Sequence, residues 1–294
     1  MTDDHRISRA EVRRSFERAA AAYDEAAVLQ RAVADRLLER LDVVRVQPRR
    51  ILDAGAGTGH VSAALARRYP KAQIIALDLA CAMVRRARAR FGFFARRFRG
   101  HGFVCADVER LPLADASVDM VVSNLTLQWC NPLDQAFAEF RRVLAPGGVL
   151  MFSTFGPDTL KELRASWSAA DGAVHVNTFQ DMHDVGDALV RARLADPVME
   201  REDIVVTYER VDGLLRDLKA IGAHNVNAGR TRGLTGRRRL AAMTEAYERF
   251  RHDERLPATY EVLYGHAWAS AARPVRDTPG EARIPLDSLR RGKP

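Results

Sequence analysis

The 294-residue sequence predicts an α/β fold: an open, doubly wound, mostly parallel sheet of seven strands, preceded by a helical leader and interrupted by a helical lid. Two observations carry that prediction. From Arg50 onward, short β-branched or aliphatic runs ending in glycine or aspartate alternate with helical patterns, which is the order of a parallel sheet covered on both faces. The first such run, Ile51 to Asp53, then delivers Gly55, Gly57 and Gly59 into a helix start, where sheets of this kind hold a ligand.

Residues 9 to 46 read as two helices, because Val12, Phe16, Ala19 and Tyr23, then Val28, Ala32, Val33, Leu37 and Leu41, recur at helical spacing. Pro48 closes this leader. Strands are expected at Arg50 to Asp53, Gln73 to Asp78, Phe103 to Asp107, Val118 to Leu125 and Gly148 to Phe155. Helices are expected between them at His60 to Arg68, Cys81 to Ala95 and Leu133 to Leu144. Helical stretches at Thr159 to Ala170 and Asp181 to Ala192 precede a strand from Val198 to Tyr208. Helices at Val211 to Ile221 and Arg237 to Phe250 then lead to a last strand, Ala258 to Trp268. The chain divides into a leader (1–48), a core (49–270) holding a lid insertion at about 157–195, and a tail (271–294) whose prolines lie among charges and predict disorder. Leu160 to Val176, with the leader, is the expected lid.

With 47% apolar residues the chain can bury a full core. Its three cysteines, Cys81, Cys105 and Cys130, lie far apart without metal-ligand spacing, so neither a disulfide nor zinc is expected and a reducing compartment, the cytoplasm, fits. The N-terminus lacks a signal-peptide pattern and no apolar run reaches the roughly 18 residues of a membrane span, so neither secretion nor membrane insertion is expected. The formal charge is +8, and seven arginines fall between Arg85 and Arg99. They form either a solvated helix face or a surface for an acidic partner. Nucleic acid is not expected, since an RNA substrate would call for a separate basic or aromatic platform, whereas the lid reads as helical and mostly apolar.

Gly-x-Gly-x-Gly after an acid, here Asp53, differs from the Gly-x-Gly-x-x-Gly that grips a pyrophosphate, and resembles the methyltransferase loop that holds the methionyl part of a cofactor. Asp78 closes the second strand, where a carboxylate can accept both hydrogen bonds of a ribose diol. Asp107 closes the third, placed for an adenine amino group, and Asn124 closes the fourth at the same sheet edge. Met83 is expected to pack on the adenine. The Tyr-x-x-x-Lys pair of a nicotinamide short-chain reductase is absent. Together these point to S-adenosylmethionine, with no metal.

From Arg14 to about Trp268 the chain resembles the malonyl-acyl-carrier-protein O-methyltransferases of biotin synthesis. The residues that carry the resemblance are Ser15-Phe16-Glu17-Arg18-Ala19-Ala20 with Tyr23 and Gln30, and Asn124-Leu125-Thr126-Leu127-Gln128-Trp129. Beyond them lie Phe155-Gly156-Pro157-Asp158-Thr159-Leu160-Lys161-Glu162-Leu163, the segment Phe179 to Asp184, and Asp217-Leu218-Lys219 with Ile221-Gly222-Ala223 and Asn225. The departures are Ala54 and Ala56, where such enzymes more often carry Leu or Ile and Cys. The resemblance implies a class I, Rossmann-like methyltransferase acting on the free carboxylate of a malonyl thioester. Its partner would be acyl-carrier protein bearing malonyl-phosphopantetheine, or malonyl-coenzyme A. The methyl ester would mask a charge and let the unit prime a pimeloyl chain for biotin.

A carboxylate is already ionised at about pH 7, so no general base is expected, and catalysis reduces to positioning and desolvation. Tyr23, Gln30, Trp129 and Phe155 are candidates for closing the pocket over the substrate, a cation is expected at the malonyl carboxylate, and the Arg85 to Arg99 stretch is a candidate docking surface for an acidic carrier. His175 and His183 are assigned no catalytic role. Three other readings compete: a complex I assembly factor that modifies a protein arginine, a non-catalytic module that binds S-adenosylmethionine, and a methyltransferase for small metabolites or ribosomal RNA.

Overall fold

The computed structural model describes residues 7–92, 100–130, 132–171, 175–223 and 236–270; the tail predicted to be disordered lies outside them, as does Asn225. Its frame is a seven-stranded sheet of β1 (Arg50–Ala54), β2 (Gln73–Asp78), β3 (Gly102–Cys105), β4 (Val118–Asn124), β5 (Leu144–Phe155), β6 (Leu194–Tyr208) and β7 (Leu256–Ala269). The order is β3-β2-β1-β4-β5-β7-β6. The first five strands are parallel, and β7 runs antiparallel to β5 and β6. This is the doubly wound, mostly parallel sheet that the sequence predicts. The order reverses at β1, which pairs with β2 on one side and β4 on the other, so a crevice opens at the carboxyl ends of these strands.

The helices are α1 (Arg9–Ala19), α2 (Tyr23–Ala26), α3 (Val28–Glu39), α4 (His60–Arg68), α5 (Cys81–Arg90), α6 (Leu133–Val143), α7 (Lys161–Ala170), α8 (Met182–Arg191), α9 (Val211–Ala220) and α10 (Arg237–Glu248). Alternation along the central strands sends side chains to two cores. Ile51, Met120, Val122, Val149 and Met151 meet α3, α4, α7, α9 and α10 on one face. Leu52, Val121, Leu150 and Phe152 meet α6 and α8 on the other, through Phe137, Phe140, Val185 and Leu189. Asp181 caps α8 by accepting the Asp184 N–H at 2.9 Å, and Asp134 of α6 accepts from Arg191 of α8.

Several boundaries differ from expectation, among them that of β3, which ends at Cys105 so that Asp107 lies two residues beyond the strand instead of closing it. The leader holds three helices rather than two, and α3 is core rather than cover: Leu29, Val33 and Leu37 are buried in the first layer. Helix α5 ends at Arg90 instead of Ala95, because Phe91 turns extended and its ring packs edge-on against Phe103 and His101. Residues 93–99, with the last three arginines of the basic stretch, lie outside the described residues. Strand β5 starts at Leu144 rather than Gly148, with an irregularity in its pairing with β4 before Val149. Edge strand β6 starts at Leu194 and shifts register before Val198, a disruption that blunts an open edge.

The expectation of no disulfide is overturned. Cys81 and Cys105 are bonded, with Cα atoms 5.3 Å apart. Their distance in sequence hid the pairing, since Cys105 sits opposite Asp78 in the β2–β3 register and Cys81 opens the helix that follows Asp78. Among the described residues no helix is long and apolar enough to cross a membrane.

Leu37 tests whether α3 shares the core. Leu37→Ala should destabilise the protein by about 2–5 kcal/mol in urea unfolding. A loss under about 0.5 kcal/mol, as at an ordinary surface position, would show that the leader only covers the domain.

Candidate active site

The crevice begins with the loop after β1. The N–H groups of Gly55 and Ala56 both donate to the Leu77 carbonyl, at 2.8 and 2.9 Å, which pins this loop to the end of β2. Gly55 adopts φ +82°, and a Cβ there would overlap the Thr126 side chain. Gly57 donates its N–H to Asp78 at 2.9 Å and faces open space. The other Asp78 oxygen accepts the Ala80 N–H at 2.8 Å. Burial nevertheless pushes the Asp78 carboxyl up to about 6, against those two hydrogen bonds.

Around this loop lies a cavity of about 800 Å³, counting the part open to solvent. Its wall brings together Gly55, Gly57, Asp78, Met83, Asp107 and Asn124, and with them all four pocket-closing candidates, Tyr23, Gln30, Trp129 and Phe155. Two expected positions stand elsewhere. Asp53 is buried beneath the loop, where one oxygen accepts the Ser62 hydroxyl and burial raises the carboxyl to about 7. Gly59 heads α4 and packs against Ala87 of α5. Asn124 lines the cavity, but its amide is engaged by the protein: Nδ2 donates to the Gln30 carbonyl at 3.2 Å and Oδ1 accepts from Ser153 at 2.8 Å.

The leader supplies residues that sequence reasoning did not single out for the site. Arg9 pairs with Asp107 at 3.4 Å and with Glu109. Glu17 accepts the first N–H groups of α5, from Cys81 at 2.7 Å and Ala82 at 3.0 Å. Asp24 accepts the Thr58 hydroxyl and pairs with Arg90, both at 2.5 Å, while Arg90 also donates to the Thr58 carbonyl. Arg90 is thus a strut of the site rather than a free docking cation. Phe16 meets Trp129 edge-to-face, with centroids 5.4 Å apart. Burial and the carboxylates of Asp78 and Asp24 raise the Tyr23 phenol well above its usual range, so it stays a neutral donor. Burial also pushes the Cys130 thiol, on the same wall, up to about 12, which leaves no thiolate nucleophile there.

A second, larger cavity of about 2080 Å³ opens beyond Trp129 and Phe155. Leu160, Leu163, Trp167 and Tyr260 make its wall apolar, and Arg18, Arg216 and Lys219 line it as well. His175 faces it while stacked on Trp167 at 3.8 Å and bonded to Asp171 at 2.8 Å. His183 is exposed on α8.

A cavity at the switch point of a parallel sheet, floored by a glycine loop and a strand-end carboxylate, defines a nucleotide- or nucleoside-binding α/β protein, and the class whose sheet and loop it shares is the methyltransferases. The methyltransferase domain family matches residues 52–152. The solved structure of a candidate methyltransferase of Bacillus halodurans shares the fold, with TM-score 0.57 and 18% identity over 81% of this chain and 99% of that one. So does phosphoethanolamine N-methyltransferase 2 of Haemonchus contortus, with TM-score 0.52 and 16% identity over 86% of this chain and 57% of that one.

Curated relatives narrow the class to a family. The malonyl-[acyl-carrier protein] O-methyltransferase of Laribacter hongkongensis is 57% identical over 280 residues, 94% of either chain. That of Methylovorus sp. is 57% identical over 274 residues, 92% of either chain. The chain belongs to the malonyl-[acyl-carrier protein] O-methyltransferase family.

The raised Asp78 carboxyl sets an expected pH dependence. Above about 6 it is ionised and can accept both ribose hydroxyls; below, a proton occupies one acceptor position. Affinity for S-adenosylmethionine, measured calorimetrically, should hold steady on the alkaline side and fall about tenfold per unit on the acid side. Asp78→Asn should weaken binding throughout and flatten that profile; an unchanged profile would remove Asp78 from ribose recognition.

Proposed function

We propose that the protein transfers the methyl group of S-adenosylmethionine to the free carboxylate of a malonyl thioester, as an enzyme that needs no metal. The observation that carries this reading is a nucleoside-sized cavity sharing a wall with a larger, mostly apolar one, in a chain of this family. In this reading Asp78 accepts the ribose hydroxyls, Asp107 the adenine amino group, and Met83 packs on the base. The Gly55 to Gly57 loop leaves room for the methionyl chain, since nothing stands opposite Gly57. The thioester arm occupies the second cavity, carried by acyl-carrier protein or coenzyme A.

The chemistry asks little of the protein's acids and bases. A carboxylate oxygen forms a bond to the methyl carbon, the sulfur–methyl bond breaks with its electron pair staying on sulfur, and no proton moves. An anion and a cation become two neutral groups, so a pocket that excludes water favours the transition state over the separated ions. Phe16, Tyr23 and Trp129 provide that exclusion at the leader side, and Phe155, with Phe179 and Tyr260 packed around it, at the sheet side. The ester product lacks the charge of a malonyl unit, which suits it to prime chain elongation toward a pimeloyl group for biotin.

Transfer of labelled methyl from S-adenosylmethionine should be followed on malonyl-carrier protein, malonyl-coenzyme A and the acetyl thioesters of each. Label on malonyl substrates alone is the expected result, and the ratio of kcat/KM between the two carriers identifies the partner. Tight cofactor binding without label on any malonyl thioester would leave the non-catalytic reading in its place.

A further inference from the structure

The two cavities share a short stretch of wall: Gln30, Gln128, Trp129, Phe155, Ile221 and Ala223. No residue of that wall is charged. Arg18, Arg216 and Lys219 line only the second cavity, and Arg9, which lines only the first, is paired with Asp107 and Glu109. Donor and acceptor can meet only where both cavities reach, so among the described residues the carboxylate meets neutral groups there and not the cation that its charge suggests. Gln30 stands out in this wall. Its side-chain Oε1 position is buried without a partner, whereas the Gln128 amide donates to the Leu125 carbonyl at 2.8 Å. The Gln30 oxygen is closed off, so the part of the amide left to face the cavities is Nε2, whose N–H groups make no hydrogen bond among the described residues. The backbone of Gln30 is fixed, because its carbonyl accepts from Asn124 at the end of β4.

We propose that the Gln30 side-chain amide holds the reacting carboxylate at this junction and makes the site specific for an acceptor whose charge vanishes on methylation. This rests on the function proposed above. The argument is one of differential binding. As the oxygen–methyl bond forms, the negative charge on the carboxylate declines, so a guanidinium or ammonium beside it would stabilise the bound substrate more than the transition state. After transfer that cation would be left buried beside a neutral ester, which is costly. An amide N–H serves the carboxylate and the ester carbonyl alike.

Gln30→Glu and Gln30→Leu, made in the full chain, test the assignment against malonyl-carrier protein. Glutamate matches the shape of glutamine but opposes a carboxylate, so KM for the malonyl substrate should rise by about tenfold or more, while affinity for the cationic cofactor stays within about twofold of wild type. Lowering the pH should reverse part of the KM increase as the introduced carboxylate takes up a proton. Gln30→Leu should reduce kcat/KM by roughly ten- to hundredfold, the loss of one hydrogen bond to a charged group. A purely structural role would instead weaken cofactor and substrate together and give no recovery at low pH; that pattern, or a Gln30→Glu KM close to wild type, overturns the proposal. Wild-type protein that labels no malonyl thioester overturns the function and this assignment with it, whereas active wild type with indifferent Gln30 variants overturns the assignment alone.

Discussion

The site depends on a contact between the leader and the start of α5. That helix begins after Ala80, which has no side chain to cap it, and its first N–H groups are satisfied by Glu17 from α1. A carboxylate at a helix N-terminus meets both free donors and the positive end of the helix dipole, so this bond is stronger than a surface ion pair. Because α5 also carries Met83 into the cavity, the cap ties the cover of the pocket to one of its walls. Asp24 makes a second tie, from α2 to Thr58 on the glycine loop and to Arg90 at the far end of α5. That ion pair is about one-third exposed, so its value lies in placing Tyr23 over the loop more than in stability.

The titratable groups on the wall of the first cavity are mostly engaged by the protein itself. Asp78 and Asp107 face the cavity but are engaged by Gly57 and Ala80, and by Arg9 and the Glu109 N–H. The phenol of Tyr23 and the thiol of Cys130 are held in their neutral forms by burial. A reaction in which two opposite charges annihilate gains from low polarity and loses from added ions, so neutral donors and aromatic surface are the appropriate lining.

The sheet and the floor of the site were legible in the sequence because their signals are local. The first strands are short runs followed closely by glycine or aspartate; Asp78 ends β2, while Gly55, Gly57 and Asp107 lie in the loops just past β1 and β3, and a parallel sheet must bring these positions to one edge. The resemblance of the leader and of the Asn124 to Trp129 segment located the cover as well, though not how it is held. Glu17 and Asp24 act on residues far along the chain, and a charged residue on an amphipathic helix looks the same whether it caps another helix or faces water. The Cys81–Cys105 bond was missed for a related reason: counting cysteines ignores register, whereas the β2–β3 pairing sets Cys105 opposite Asp78. Asp53 was misplaced by one layer, since a carboxylate before a glycine loop can point under the loop as readily as into the cavity.

The second cavity owes its shape to two buried carboxylates that no motif flags as structural. Glu162 on α7 accepts the N–H and hydroxyl of Thr259 on β7, and Glu261 two residues on accepts the Asp158 N–H and pairs with Arg201 of β6. A Cβ on Gly156 would collide with the Glu261 carboxyl, so the chain leaving β5 can approach β7 this closely only at a glycine. These bonds fasten the start of the insertion to the sheet directly beside Phe155, a residue of both cavities. Burying a carboxylate is costly unless it is hydrogen-bonded, so the bonds that Glu162 and Glu261 make fix the geometry of the groups they hold. The segment after β5 is therefore anchored beside the wall that the two cavities share, so in the proposed reaction the Phe155 to Thr159 turn would help to set where the acceptor is held.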